Sequence, residues 1–456
     1  MKNILSVVLT AVIAISVLLP VTASAAVYND YIEDGFYSDC VLLICTDNDE
    51  IIFSRNPNKQ TMPASLTKVI TASVILSECT DLSQVVTVPE SCIEELKGTG
   101  SSLGGLKAGE SLSVRDLLHC LLIQSANEAA TTLAYYITGE DREAFIAKMN
   151  DLAEELGCTN SHFVNVHGLD DEDQYTTVSD MAKFFENAKK YDVFNEIVAL
   201  DSYELPETNL QQARKIRSTN FTLLPGYKDY YCEHSTGGKT GSTSGAGRCL
   251  VSASSYNGYN YIAVAMNGPM EDIDDDGVEE NGAFVDTKAM YDWAYENLRL
   301  VSIADAAKVV GEIPVRFGRG TDHITLCPAE TAYGLMPKGI DATGLLIKVD
   351  KSTLPEHLNA PVHKEEVVCK GDVYYADQVV ARIDLVSSTE VKRGFFSSIA
   401  TFLKDIFVSP VFRLISIAII IALAVLVAKG YFGKKSKESD KTDKKKKKET
   451  TKGKKK

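Results

Sequence analysis

Apolar positions are distributed unevenly along the chain, and two of its longest apolar runs lie near the ends. The first extends from Ile4 to Val21, after Met1-Lys2-Asn3 and before Ala23-Ser24-Ala25. One positive charge, an apolar stretch and an A-x-A site predict a secretory signal peptide over residues 1–25, cleaved after Ala25. The second runs from Val411 to Ala428, broken only by Arg413 near its start. Eighteen helical residues span about 27 Å against a bilayer core of about 30 Å, which predicts a transmembrane helix over 411–432. Ser409-Pro410 supplies an N-cap and a first-turn proline, and Arg413 can snorkel outward. Just upstream, Phe395, Ile399, Phe402 and Ile406 recur at helical spacing. Residues 391–410 therefore read as an amphipathic juxtamembrane segment, lying in the membrane interface or packing on the preceding domain.

Between the ends the periodicity alternates. Val41–Cys45 with Ile51–Phe53, and Cys249–Ser254 with Tyr259–Met266 across Asn257-Gly258, read as β-hairpins. Val69–Ser77, Val114–Ile123 and Arg142–Leu156 read as helices, with Ser113 and Asp116 spaced as a capping box. Helices bracketed by hairpins predict an α+β domain over residues 26–298, an antiparallel sheet with helices packed on it. From about Leu300 the pattern changes to short β-rich runs, including Ile313–Phe317, Leu345–Val349, Glu366–Val368 and Val379–Leu385. Residues 299–390 therefore read as a small all-β domain.

Composition adds topology. Hydrophobic residues make up 45% of the 456 and charged residues 24%, which excludes wholesale disorder. The net charge of −15 hides a strong segregation. Residues 433–456 hold 13 lysines against 4 acidic residues, leaving −25 on residues 26–432. Lysines beside a span belong on the cytoplasmic side. The expectation is a single-pass protein of the cell membrane with an acidic extracellular body and a basic cytoplasmic tail. An acidic body and a membrane-flanking tail exclude nucleic acid as the partner. The ten cysteines form no C-x-x-C pair, so zinc and redox motifs are absent and most read as small buried hydrophobes.

Three short motifs carry candidate chemistry. Ser65 and Lys68, in Pro63-Ala64-Ser65-Leu66-Thr67-Lys68, are one helical turn apart, so a lysine neutralised by burial or by a cationic neighbour can take the serine proton. Ser125-Ala126-Asn127 offers a second hydroxyl, able to relay a proton, and an amide to hold a substrate amide. Lys239-Thr240-Gly241 offers a cation and a hydroxyl for a carboxylate, on a strand whose glycine admits a close backbone. Each alone is weak. Their order and spacings of about 60 and then about 114 residues are specific, and match the active-serine signature of penicillin-binding proteins and class A β-lactamases.

The chain resembles the low-molecular-weight penicillin-binding proteins, the serine D-alanyl-D-alanine carboxypeptidases. The likeness covers residues 30–298 and extends to Gly100-Ser101-Ser102, Leu106-Lys107-Ala108-Gly109-Glu110, Phe163-Val164-Asn165, His167-Gly168-Leu169, Ala246-Gly247-Arg248-Cys249-Leu250 and Glu280-Asn281-Gly282-Ala283-Phe284. It implies a β-lactamase/penicillin-binding-protein-like catalytic domain, with the small β domain and C-terminal anchor matching the family layout more loosely. It also implies that Ser65 is the acylated nucleophile, Lys68 its general base and Ser125 a proton relay. Asn127, Lys239, Thr240 and Gly241 would bind substrate, and the backbone N–H groups of Ser65 and Ser242 would form the oxyanion hole, worth roughly 3–4 kcal/mol per donor. The implied substrate is the peptidoglycan pentapeptide stem, with β-lactams as covalent inhibitors and no cofactor. Ala126 and Ser242 depart from the commoner glycine and aromatic or histidine residues of the family.

Other features read as bystanders. Gly100-Ser101-Ser102-Leu103-Gly104 matches G-x-S-x-G without the flanking strand and helix, so it reads as a loop over the site. Asp272-Ile273-Asp274-Asp275-Asp276-Gly277 begins like a calcium loop but has Ala283 at the twelfth position, and no metal is expected. His167 reads as structural. The competing functions are a D,D-endopeptidase, a β-lactamase, and a silent wall-binding homologue, the last opposed by intact Ser65, Lys68 and Lys239.

Overall fold

The computed structural model of the protein describes residues 35–273, 275–339, 344–375, 378–395, 399, 409–410, 412–427 and 429. The expected signal peptide, the basic tail and most of the amphipathic segment lie outside the described residues. The chain divides into two units, residues 1–303 with 333–345 and 374–381, and residues 304–332 with 346–373 and 382–456. The expected linear boundary at 298/299 falls at the start of the strand Leu298–Ala304, which pairs with Ala332–Pro337 and so draws a later segment into the first unit.

The first unit is built on an antiparallel five-stranded sheet. Its strands are β1 (Cys40–Cys45), β2 (Glu50–Arg55), β3 (Ser235–Thr243), β4 (Gly247–Tyr256) and β5 (Tyr259–Gly268), in the order β2-β1-β5-β4-β3. Both faces are covered, which the side-chain alternation of period two makes visible. Cys40, Leu42, Cys249, Val251, Val264 and Met266 join one core, whereas Val41, Leu43, Leu250, Ala263 and Ala265 join the other.

The first core is filled by α1 (Thr67–Glu78), α2 (Val114–Leu122), α3 (Asn127–Thr138), α4 (Arg142–Glu155), α5 (Val178–Ala188) and α6 (Asp192–Val198), and the second by α7 (Gly282–Asn297). Helix starts follow capping chemistry. The side chains of Ser113, Asp141, Thr177 and Asn281 accept the N–H of Asp116, Ala144, Asp180 and Ala283 at 3.0–3.1 Å. In α1 every residue from Thr67 to Ile75 is buried, the polar Thr67, Lys68, Thr71 and Ser73 among them, as expected of a central helix.

Most of a six-stranded sheet lies in the second unit, residues 374–375 and 378–381 of its strands being counted with the first. Its members are β6 (Gly311–Arg316), β7 (His323–Pro328), β8 (Leu346–Val349), β9 (Leu358–Asn359), β10 (Val367–Tyr375) and β11 (Gln378–Ser387), ordered β8-β10-β11-β7-β6-β9. Ile313, Ile324, Leu326, Cys369 and Leu385 form its core.

Residues 412–427 are helical, and their apolar side chains, among them Ile420, Leu426 and Val427, are exposed. Among the described residues no helix is long and apolar enough to cross a membrane. Sixteen residues cover about 24 Å, short of a bilayer core of about 30 Å. Residues 411, 428 and 430–432 of the expected span lie outside the described residues.

Candidate active site

The site assembles where the N-terminus of α1 meets β3. Ser65 sits in a 3₁₀ turn, Ala64–Leu66, that feeds directly into α1. Ala64 takes a left-handed backbone, φ 47°, and Thr67 Oγ1 donates to the Ala64 carbonyl at 2.9 Å, holding the turn. The loop after Val166 presses against it. At Gly168, φ 92°, a Cβ would lie 1.8 Å from the Ala64 carbonyl oxygen, so only glycine admits this approach. From the other side a Cβ on Gly241 would come within 3.0–3.2 Å of Ala64, Pro63 and the Ser65 nitrogen. The serine turn is thus held between the Gly168 loop and β3.

Lys68 is fully buried, with its Nζ 2.9 Å from Ser65 Oγ and donating to the His167 carbonyl at 2.7 Å. Burial, reinforced by the nearby Lys239 charge and opposed by Glu128, holds the Lys68 ammonium well below the usual lysine range. A neutral amine that donates to His167 keeps its lone pair for the Ser65 proton. His167 is itself held neutral, its pKa pushed to about 3 by burial and the Lys68 charge, and its Nδ1 accepts the Leu169 N–H.

Lys239 lies on β3, 1% exposed, and its Nζ donates to Ser125 Oγ at 2.9 Å and to the Thr240 carbonyl at 2.8 Å. Burial lowers its pKa to about 7. Ser125, buried and left-handed at φ 62°, occupies the link between α2 and α3. The neighbouring Asn127 opens α3, and its Oδ1 is buried without a hydrogen-bond partner among the described residues, free to accept from an incoming amide. The loop at 100–106 lies over this corner, as the Asn127 N–H donates to the Ser102 carbonyl at 3.0 Å. It has neither strand nor helix, so its G-x-S-x-G is no nucleophile elbow.

Ser65, Lys68, Ser125 and Lys239 therefore converge, although 174 positions separate Ser65 from Lys239. Thr240 Oγ1 is 2.6 Å from Thr219 Oγ1, a hydroxyl that no motif singled out. Ser242 is exposed and accepts from Arg248 on β4 at 2.5 Å. Beyond β3, Asp170 accepts from Thr243 Oγ1 at 2.5 Å and from the Gly245 N–H at 2.9 Å, tying the His167 loop to the turn after K-T-G. Only the resemblance around His167-Gly168-Leu169 hinted at that loop. β3 is an edge strand, so one side of its backbone is open to pair with an extended peptide.

The acidic loop behaves as an ordinary turn. Asp272 accepts the N–H groups of Asp276 and Gly277 at 3.0 and 2.9 Å, closing its own loop. Among the described residues no group of three or more His, Cys, Asp or Glu side chains is placed to hold a metal. The arrangement as a whole has the parts for acyl transfer: a hydroxyl nucleophile, an adjacent lysine base, a second hydroxyl on a second lysine, and an open strand edge.

Comparison with known proteins agrees with this chemistry. Residues 31–270 match the family of D-alanyl-D-alanine carboxypeptidases. The chain is 27% identical over 370 residues to the D-alanyl-D-alanine carboxypeptidase DacF of Bacillus subtilis, covering 80% of this chain and 87% of that protein. It is 31% identical over 255 residues to DacB2 of Mycobacterium tuberculosis, covering 55% and 79%. In fold it is similar to penicillin binding protein 5 from Haemophilus influenzae, with a TM-score of 0.64 at 24% identity over 78% of this chain and 98% of the other.

Proposed function

The chain belongs to the D-alanyl-D-alanine carboxypeptidase family, and on that premise we propose how its residues divide the work. It is a serine-type hydrolase that removes the terminal D-alanine from peptidoglycan stem peptides through an acyl-enzyme on Ser65. The observation that carries the assignment is the 2.9 Å approach of Lys68 Nζ to Ser65 Oγ, with Lys68 buried and its ammonium held well below the usual lysine range.

Ser65 Oγ attacks the carbonyl of the penultimate D-alanine while its proton passes to Lys68. The negative charge that develops on the carbonyl oxygen is received by the Ser65 and Ser242 N–H groups. Lys68 hands the proton it took to Ser125 as Ser125, held by Lys239, gives its own proton to the departing amine, and D-alanine leaves with Lys68 again a free amine. Lys68 takes a proton from water as the water attacks the ester carbonyl, then returns it to Ser65 Oγ as the ester C–O bond breaks, which frees the acid and regenerates Ser65. Asn127 accepts from a substrate amide, and the backbone of β3 pairs with the extended stem. A β-lactam presents the same reactive carbonyl and acylates the same serine.

The reading extends to location. The exposed apolar helix at 412–427 and the lysine-rich segment after it support a C-terminal anchor, with the catalytic unit outside the cell and the tail in the cytoplasm.

The test is to incubate the protein with fluorescent penicillin and, separately, with a diacyl-Lys-D-Ala-D-Ala peptide. Covalent labelling and D-alanine release are expected, and Ser65→Ala abolishes both. Labelling without release would instead point to an endopeptidase, and neither signal would remove the enzyme reading.

A further inference from the structure

The catalytic corner holds a buried carboxylate that the acyl-transfer steps leave unused. Glu128 stands in the first turn of α3, next to Asn127, and is 1% exposed. A helix N-terminus favours a negative charge there. The irregular segment at 104–106 adds backbone N–H groups of its own. The Leu106 N–H donates to Glu128 Oε1 at 3.2 Å, and those of Gly104 and Gly105 also act on the carboxylate. The approach is close enough to need glycine, because a Cβ on Gly104 would lie 2.8 Å from Ala126 Cβ and 3.5 Å from Glu128 Oε1. Burial raises the pKa of the Glu128 carboxyl, and these N–H groups, with its own, oppose the rise. The second oxygen, Oε2, is buried without a hydrogen-bond partner among the described residues.

Its charge acts on a group that changes charge during the reaction. Lys68 lies in the first turn of α1, which packs against α3. Burial and Lys239 of β3 disfavour the Lys68 ammonium, Glu128 favours it, and His167 across the loop is held neutral. The other titratable and charged groups on the Glu128 side surround Cys120 of α2, a thiol raised to about 12 by burial. They are Asp116 and the pair Glu110 and Arg214, 3.1 Å apart. On taking the Ser65 proton Lys68 becomes an ammonium inside the protein, where an isolated charge is strongly disfavoured.

We propose that Glu128 is a positioning residue for the acylation step: its carboxylate, clamped by the loop at 104–106, steadies the ammonium that Lys68 becomes while it holds the Ser65 proton. No proton reaches Glu128. The Ser65 O–H bond breaks, a Lys68 N–H bond forms, and the carboxylate stays charged throughout. The same charge keeps Lys68 from becoming too weak a base. The inference rests on the carboxypeptidase reading above.

The test is the pH profile of penicillin acylation and of D-alanine release in the full chain, with thermal melts to establish folding. Glu128→Gln keeps an oxygen for the Leu106 N–H and removes the charge. Its rising limb moves to lower pH by about one unit, since Lys68 loses the charge that favours its ammonium. Its plateau rate falls roughly three- to tenfold, because the base is weaker. Glu128→Asp keeps the charge and shortens the reach to Leu106, so it keeps the wild-type limb even where Tm falls. A limb unmoved in Glu128→Gln, or displaced in Glu128→Asp, overturns the proposal. Where Glu128→Gln does not fold, the limb of Glu128→Asp decides. A wild-type protein that takes no penicillin label and releases no D-alanine instead overturns the carboxypeptidase reading itself.

Discussion

Two lysines that form no ion pair among the described residues lie in the same buried corner, a costly arrangement tied to function. Lys239 has a folded-state pKa of about 7 against an ordinary 10.5, so between those values the unfolded chain binds the extra proton. Stability therefore rises with pH across that window and is lowest below about pH 7. Lys239→Met should be more stable than wild type near pH 7, by an amount on the order of 4 kcal/mol at most, with the gap closing toward pH 10.5; denaturant melts at both ends check it. The same desolvation favours the free amine of Lys68, so the rising limb of penicillin acylation should lie below the ordinary lysine range of about 10.4. A limb rising only above pH 10 would contradict that role. Gly168 is as tightly constrained as either lysine. Gly168→Ala forces a Cβ to within 1.8 Å of the Ala64 carbonyl at a left-handed backbone. It should cost at least about 2–3 kcal/mol and remove penicillin labelling, as a thermal melt and a labelling gel can show.

At the level of elements, the site is a matter of register. Ser65 and Lys68 share one helix end, but Lys239 reaches Ser125 only because β3 lies at the sheet edge with Gly241 against the serine turn. A one-residue slip of β3 would turn Lys239 outward and Thr240 inward. Asp170 anchors that end of the strand through the turn after K-T-G. Asp170→Ala, at an exposed position, should lower the penicillin acylation rate about tenfold while changing Tm by only a few degrees. A large fall in Tm with normal acylation would show that the contact only stabilises.

For the molecule as a whole, the cysteines and the C-terminus give the clearest expectations. All ten cysteines are free and buried, and burial raises Cys45, Cys120, Cys158, Cys232 and Cys249 to about 12. A thiol reagent should therefore label none of them in the native protein at pH 8, and all ten after denaturation. Reductant should leave Tm unchanged. If the exposed helix at 412–427 and its flanks form the anchor, the full chain sediments with bilayers and a chain ended at residue 394 does not, while penicillin labelling persists in both.

Much of the fold was legible in the chain. The hairpins at β1–β2 and β4–β5 and the capped helices were carried by local alternation, Asn257-Gly258 and the Ser113 cap, all short-range physics. The three motifs named the site residues, because their chemistry requires those residue types. The rest depended on contacts distant in sequence. The pairing of Leu298–Ala304 with Ala332–Pro337 joined a later segment to the first unit, and Thr219, Asp170 and Arg248 entered the site only through loop packing and strand register. Sequence by itself determined which groups can react. Tertiary structure decided that Lys239 reaches Ser125, which loop closes on the serine turn and how burial shifts each pKa, since desolvation and register exist only once the chain is packed.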